Sequence, residues 1–284
     1  MTKKVLPLLT VKLDRIISGG QTVGTLESGK KCLVWGGLPG ETVIVQQTKK
    51  KSSYIEGYVT EVIQSSSIRI APTDSDSYMS TSPWQIMNFD SEQHYKSAII
   101  EEAFELHDIV LPNPIGTYTD GVEYGYRNKV EFSFWYDIEK EQLDLAFFRR
   151  GTHGKIAVER TSLASDAITE VSKKVLLGLR ELKIDGRNLK TLLIRSNRAG
   201  QIAWQLYVKN EEVDASAILN ATNHQSTICA EVIYSNPLSP ASVITKHLAS
   251  TGDDVLTDTI LEVPFSYATE GFFQINLPVY EQTL

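Results

Sequence analysis

Tyr126-Arg127-Asn128-Lys129-Val130-Glu131-Phe132-Ser133-Phe134 opens on a polar, cationic entrance and continues as an alternating strand. Successive side chains of a strand point to opposite faces, so Val130, Phe132 and Phe134 share one register and leave the polar residues on the other. Lys129 to Tyr136 and Leu143 to Phe148 flank the polar Asp137 to Gln142, which predicts a strand, a hairpin turn and a second strand. Pairing these strands would bring Arg127, Asn128 and Lys129 to the same end of a sheet as the cationic turn Phe148-Arg149-Arg150-Gly151-Thr152-His153. Arg, Asn, Lys and His at a sheet end suit phosphates and base edges. The same residues also fit two unrelated exposed turns.

Outward from this hairpin, Asp90 to Gln93 has capping-box spacing and opens a helix with Tyr95, Ile99, Ala103 and Leu106 on one face. Ile168, Val171, Val175, Leu179 and Leu182 predict a second amphipathic helix that ends near Asp185-Gly186. Further strands are expected at Thr191 to Arg195 and Ala203 to Val208, then near Cys229 to Tyr234 and Leu261 to Phe265. Towards the N-terminus, Lys31 to Trp35, Thr42 to Gln46 and Tyr54 to Val62 have strand composition and are separated by Gly-rich turns, which suits a small closed barrel. Residues 64 to 88 are polar and aperiodic and read as a connection. At the other end, Asn276 suits a helix cap and Pro278 an opening turn, and this helix breaks off near Leu284 as if cut.

Composition narrows the possibilities. With 42% hydrophobic and 22% charged residues the 284-residue chain is ordinary for a globular protein, and no apolar run is long enough to cross a bilayer. Pro7 and Lys12 interrupt the apolar start, so a signal peptide is not expected and the cytoplasm is. Cys32 and Cys229 stand apart from each other and from any metal-ligand spacing, which predicts buried apolar side chains, with no disulfide and no metal site. The net charge of −7 is uneven: residues 1 to 70 hold ten Lys/Arg against five Asp/Glu, and the remainder eighteen against thirty. A basic front on an acidic body can mark a polyanion-binding module. Lys49-Lys50-Lys51 beside Tyr54 could hold phosphates and stack a base, although a lysine triplet also fits a solvated turn.

Three motifs in order, Tyr126 to Phe134, the Arg149-Arg150 turn and Gly271-Phe272-Phe273-Gln274-Ile275-Asn276, resemble the bacterial 23S rRNA and tRNA uracil-5 methyltransferases. The resemblance begins earlier, where Gly19-Gly20 and Gly36-Gly37-Leu38-Pro39-Gly40-Glu41 look like a TRAM domain, and passes through Gln93 and Lys96, covering nearly the whole chain. It implies an α+β protein: a small OB-like TRAM barrel over 1–68, a connection over 69–88, and a central RNA-binding α/β domain with a mostly antiparallel sheet over 89–268. Residues 269–284 would begin the methyltransferase domain. The resemblance also implies that Gln274 contacts S-adenosylmethionine and that Phe272 packs on RNA bases near a flipped-out uridine, with Phe272 or Phe273 left to ordinary core packing.

Two departures follow. Where relatives carry the thiolates of an iron–sulfur cluster, Thr73, Met79, Ser82 and Thr161-Ser162 stand here, so no cluster is expected. The family's nucleophilic Cys and doubly wound cofactor domain lie beyond its Phe-Phe-Gln segment, so the chain is expected to be truncated, with the doubly wound domain absent, no catalytic residue and S-adenosylmethionine bound only by the full-length protein. The expected partner is RNA, rRNA ahead of tRNA, with no DNA and no membrane. Competing readings are a stand-alone RNA-binding accessory protein and an acidic protein-interaction module.

Overall fold

The structure is a computed structural model and describes residues 6–150, 154–253 and 255–284. Two compact units emerge: Met1–Tyr118 with Arg149–Gly154, and Thr119–Phe148 with Lys155–Leu284.

In the first unit, β1 (Leu8–Ile16), β2 (Thr22–Thr25), β3 (Lys31–Trp35), β4 (Thr42–Lys50) and β5 (Tyr54–Gln64) close into a barrel in the order β1-β2-β3-β5-β4. Alternation points Val11, Leu13, Cys32, Val34, Val43, Val45 and Ile55 inward. Closure brings backbones together: a Cβ on Gly24 would lie 2.2 Å from the Lys12 carbonyl oxygen, and one on Gly57 2.5 Å from that of Gln46, so both positions require glycine. The turn ending in Glu41 is locked by that residue, whose buried carboxylate accepts from the Leu38 amide at 2.8 Å and from Arg69 Nε and Nη2 at 2.5 and 2.7 Å. A buried carboxylate is tolerated when a guanidinium and an amide pair it this fully.

Behind the barrel in sequence come α1 (Tyr78–Thr81) and α2 (Phe89–Glu105). The cap of α2 is Asn88, whose side chain accepts from the Ser91 amide at 2.9 Å, and not Asp90 as the capping-box spacing suggests. Asp90 and Glu92 instead occupy the first turn, where negative charge meets the positive end of the helix dipole. Tyr95 and Ile99 pack on a second core of Ile16, Leu38, Ile86 and Met87.

The second unit is built on β6 (Lys129–Asp137), β7 (Gln142–Phe148), β8 (Lys155–Val158), β9 (Leu189–Ser196), β10 (Ile202–Val208), β11 (Thr227–Tyr234) and β12 (Lys246–Gly252), in the order β12-β11-β10-β9-β6-β7-β8. One face is covered by α3 (Asp166–Glu181) and α4 (Ala215–Ala221); Val130, Phe132 and Phe134 lie there in one core with Ile168, Val171, Val175 and Leu179. A separate hairpin, β13 (Val255–Ile260) and β14 (Val263–Ala268), and the short α5 (Leu277–Glu281) complete the unit. Asn276 caps α5, with Pro278 in its opening turn.

This architecture corrects the expected fold class in its sheets. They are mixed: β3 and β5 run parallel in the barrel, and β10 and β11 run parallel in the seven-stranded sheet. The second case has a direct cause in α4, a crossover helix between β10 and β11 that returns the chain to the same end of the sheet, as parallel strands require. The expected strand at Leu261 to Phe265 is also displaced. Leu261 and Glu262 have φ of 46° and 67° and form the two-residue turn between β13 and β14, in which Ile260 faces Val263. Such turns ordinarily use Asn and Gly, so Leu-Glu carried no turn signal. No helix among the described residues is long and apolar enough to cross a membrane.

Candidate functional site

At one end of the barrel, Lys49 and Lys50 finish β4, Lys51 follows in the turn and Tyr54 begins β5. Lys31, the first residue of β3, is the register partner of Tyr54, and Lys30 Nζ donates to the Lys51 carbonyl. The fold therefore adds Lys30 and Lys31 to the lysine triplet. Lys31, Lys49, Lys50 and Lys51 are exposed and Tyr54 is half-buried. Lys49 Nζ lies 3.1 Å from Glu56 Oε1, a hydrogen bond that holds its ammonium above the ordinary pKa. Lys50 and Lys51 have no carboxylate within salt-bridge distance among the described residues.

Arg149 and Arg150 belong to the first unit. Arg149 is exposed, and its amide donates to the Gly154 carbonyl at 2.8 Å. Arg150 is engaged: its guanidinium carbon lies 4.5 Å from the Trp35 ring centroid and Nε donates to the Met79 carbonyl at 2.9 Å. Burial lowers its pKa. His153 lies outside the described residues.

The remaining candidates meet in the second unit around residues 270–276. Asn128 donates from its amide to the Ile275 carbonyl at 3.2 Å and from Nδ2 to the Gln274 carbonyl at 2.9 Å. Lys129 Nζ donates to the Glu270 carbonyl at 3.3 Å. Burial first, then the nearby Arg195 charge, pushes the Lys129 ammonium below its ordinary pKa. Arg127 Nε donates to the Lys129 carbonyl at 3.3 Å, while its backbone joins Leu163 and Ser165. Of the two phenylalanines, Phe273 stacks on Tyr267 with ring centroids 3.9 Å apart and planes 15° apart, and Phe272 is 87% exposed. The Gln274 side-chain amide makes no hydrogen bond among the described residues.

Sequence reasoning missed the supports of this segment. Arg195 sits at the end of the apolar run Leu192-Leu193-Ile194, yet its Nη2 donates to the Gly271 carbonyl at 2.7 Å. Tyr267 donates to Asp258 Oδ2 at 2.5 Å, and burial and that bond push the phenol far above its ordinary pKa. Arg198 pairs with Glu281 of α5 at 2.8 Å. A charged residue inside an apolar strand was the one available signal for Arg195; Tyr267 and Asp258 carried none. Beside the segment is a cavity of about 330 Å³ whose lining includes Tyr126, Asn128, Ser165, Ser196, Asn197 and Asn276.

Both cysteines are buried thiols. Burial pushes Cys32 up to about 11, which keeps it protonated and unreactive at neutral pH. Among the described residues no group of three His, Cys, Asp or Glu is arranged to hold a metal ion.

No family model matches the chain. It is similar to an uncharacterized RNA methyltransferase of Caldanaerobacter subterraneus, 24% identical over 95% of this chain and 63% of that protein. It is 31% identical to the 23S rRNA (uracil(1939)-C(5))-methyltransferase of Xylella fastidiosa, over 57% of this chain and 36% of that protein. Over most of this chain, the relatives are RNA methyltransferases. The chain spans about three-fifths of the length of the curated relatives that match nearly all of it. Among solved structures it superposes on Pyrococcus abyssi tRNA (uracil-54, C5)-methyltransferase, determined with S-adenosyl-L-homocysteine, at a TM-score of 0.70 and 14% identity, over 94% of this chain and 61% of that one. This likeness overturns the second part of the expected fold class, which defined the chain by a missing doubly wound domain. Nearly all of the chain shares the fold of that structure over 61% of the latter's length, and its fold is described by that likeness rather than by an absence.

Proposed function

We propose that the protein is an S-adenosylmethionine-dependent RNA (uracil-5-)-methyltransferase acting on 23S rRNA in the cytoplasm, and that these residues handle the RNA. The observation that carries this reading is the 270–276 segment, where an exposed aromatic ring stands two residues from an unspent amide. An exposed phenylalanine ring is a sequence-tolerant platform for an unstacked base. The Gln274 amide offers a donor and an acceptor with no competing partner, and so fits the polar edge of S-adenosylmethionine. That cofactor supplies the methyl group. We take 23S rRNA as the target because relatives whose names give a substrate are 23S rRNA (uracil(1939)-C(5))-methyltransferases.

In this reading 1–68 is a TRAM-like RNA-binding barrel whose Lys49, Lys50, Lys51 and Tyr54 meet phosphates and a base. Residues 69–88 connect it to a central RNA-binding region over 89–268, and 269–284 begin the cofactor-proximal part. Arg127, Arg149, Arg150 and His153 are assigned as further RNA contacts. Thr73, Met79 and Ser82 offer no thiolates, so no iron–sulfur cluster is assigned. Incubating the protein with S-adenosylmethionine carrying a labelled methyl group, against 23S rRNA fragments and against tRNA, tests the reading. Label on the rRNA is expected; label on tRNA alone reverses the target, and label on neither overturns the assignment.

A further inference from the structure

Arg195 is 1% exposed, and a guanidinium cannot shed its proton to escape the cost of burial. Its compensation is incomplete: Nη2 reaches the Gly271 carbonyl at 2.7 Å, but Nε and Nη1 are buried without a hydrogen-bond partner. The guanidinium carbon lies 5.2 Å from the Tyr267 ring centroid, and Tyr267 in turn stacks on Phe273. Unmade buried donors cost about as much as a good hydrogen bond contributes, so stability alone does not account for an arginine here. On this face of the sheet Leu193, Ala203 and Cys229 are buried and small or apolar, and the register partner of Arg195 on β6 is a second cation, Lys129.

The residues of the segment are held in a particular order. Glu270 is held through its carbonyl by Lys129, Gly271 through its carbonyl by Arg195, Phe273 by stacking on Tyr267, and the Gln274 and Ile275 carbonyls by Asn128. Phe272 alone is unheld, and it is 87% exposed. With both chain neighbours pinned, the backbone at Phe272 has little freedom and its Cα–Cβ bond leaves the surface in a set direction, so that only rotation about χ1 and χ2 places the ring.

We propose that Arg195 is a positioning residue that pins Gly271 and, through Tyr267, Phe273, so that Phe272 is presented outward as a preformed platform for an RNA base. This rests on the reading of Phe272 as an RNA contact. Preorganisation gains affinity because the ordering cost is met before the RNA arrives. The unmade donors of Arg195 are then tolerated for what the segment does.

The test is a double-mutant cycle on binding of a 23S rRNA fragment, with hydrogen exchange of residues 270–275 measured on the same proteins. Phe272→Ala is expected to weaken binding about tenfold. Arg195→Met should weaken it by most of that factor and cost nothing further in the Phe272→Ala background, because one acts through the other. Exchange at 271–274 should quicken while β6 and β10 keep their protection. Arg195→Lys, which retains a donor, should restore part of the affinity, and it carries the cycle if the methionine variant does not fold. Equal losses in both backgrounds, or unchanged exchange at 271–274, overturn the proposal. If Phe272→Ala binds as tightly as the parent while Arg195→Met still frees the segment, the RNA reading of Phe272 fails and the pinning by Arg195 stands.

Discussion

The lysine-rich end of the barrel and the 270–276 segment of the second unit use similar residues to opposite ends. At the barrel end Lys31, Lys50 and Lys51 are exposed, where their ammonium groups can meet a phosphate. At the segment Asn128, Lys129 and Arg195 are turned inward and spend donors on backbone carbonyls. The first region offers charge without geometry. In the second, geometry is built from charge and the exposed feature is an apolar ring. Residue type therefore does not tell a ligand contact from a support; the partner and the burial do.

Four changes would break or sharpen this contrast. Phe272→Ala should have the largest effect, about 1–3 kcal/mol of RNA affinity, with little salt dependence because stacking releases few ions. An unchanged dissociation constant in filter binding would remove the platform. Changing Lys49, Lys50 and Lys51 together to Ala should weaken binding several-fold at low salt and flatten the salt dependence. Lys49 already pairs with Glu56, so the slope should fall by only about two phosphates' worth, roughly 1.4 in log–log terms. A drop matching three phosphates would show that RNA displaces Glu56. Asn128→Ala removes one bond from the segment and should cost about 1 kcal/mol of stability by urea denaturation, with the salt slope unchanged; a changed slope would return Asn128 to the phosphate contacts. The smallest expected effect is Glu262→Gly, which relieves a positive φ of 67° in the β13–β14 turn. It should raise stability by about 0.5–1 kcal/mol and leave RNA binding unchanged.

Much of the fold was legible because its signals are local. The inward face of β6, the buried stripe of α3 and β3, β4 and β5 of the barrel follow from local pattern and composition, and the capped start of α5 was visible in Asn276 and Pro278. What failed to show had weak local signals. Seven-residue α4 is too short for a period to stand out, and polar, largely exposed β12 lacks alternation because it lies at the sheet edge. Missing α4 meant missing the crossover, and with it the parallel pairing of β10 and β11.

The site divides along the same line. By itself the sequence determined that Val130, Phe132 and Phe134 share a face and that cations gather at the entrance of β6. Tertiary structure decided what those cations do, because the carbonyl held by Asn128 lies 146 residues away and the one held by Lys129 lies 141 residues away. A hydrogen bond depends on an approach within about 3 Å. No local period carries that information; the order of strands in the sheet and the path of the β13–β14 hairpin set it.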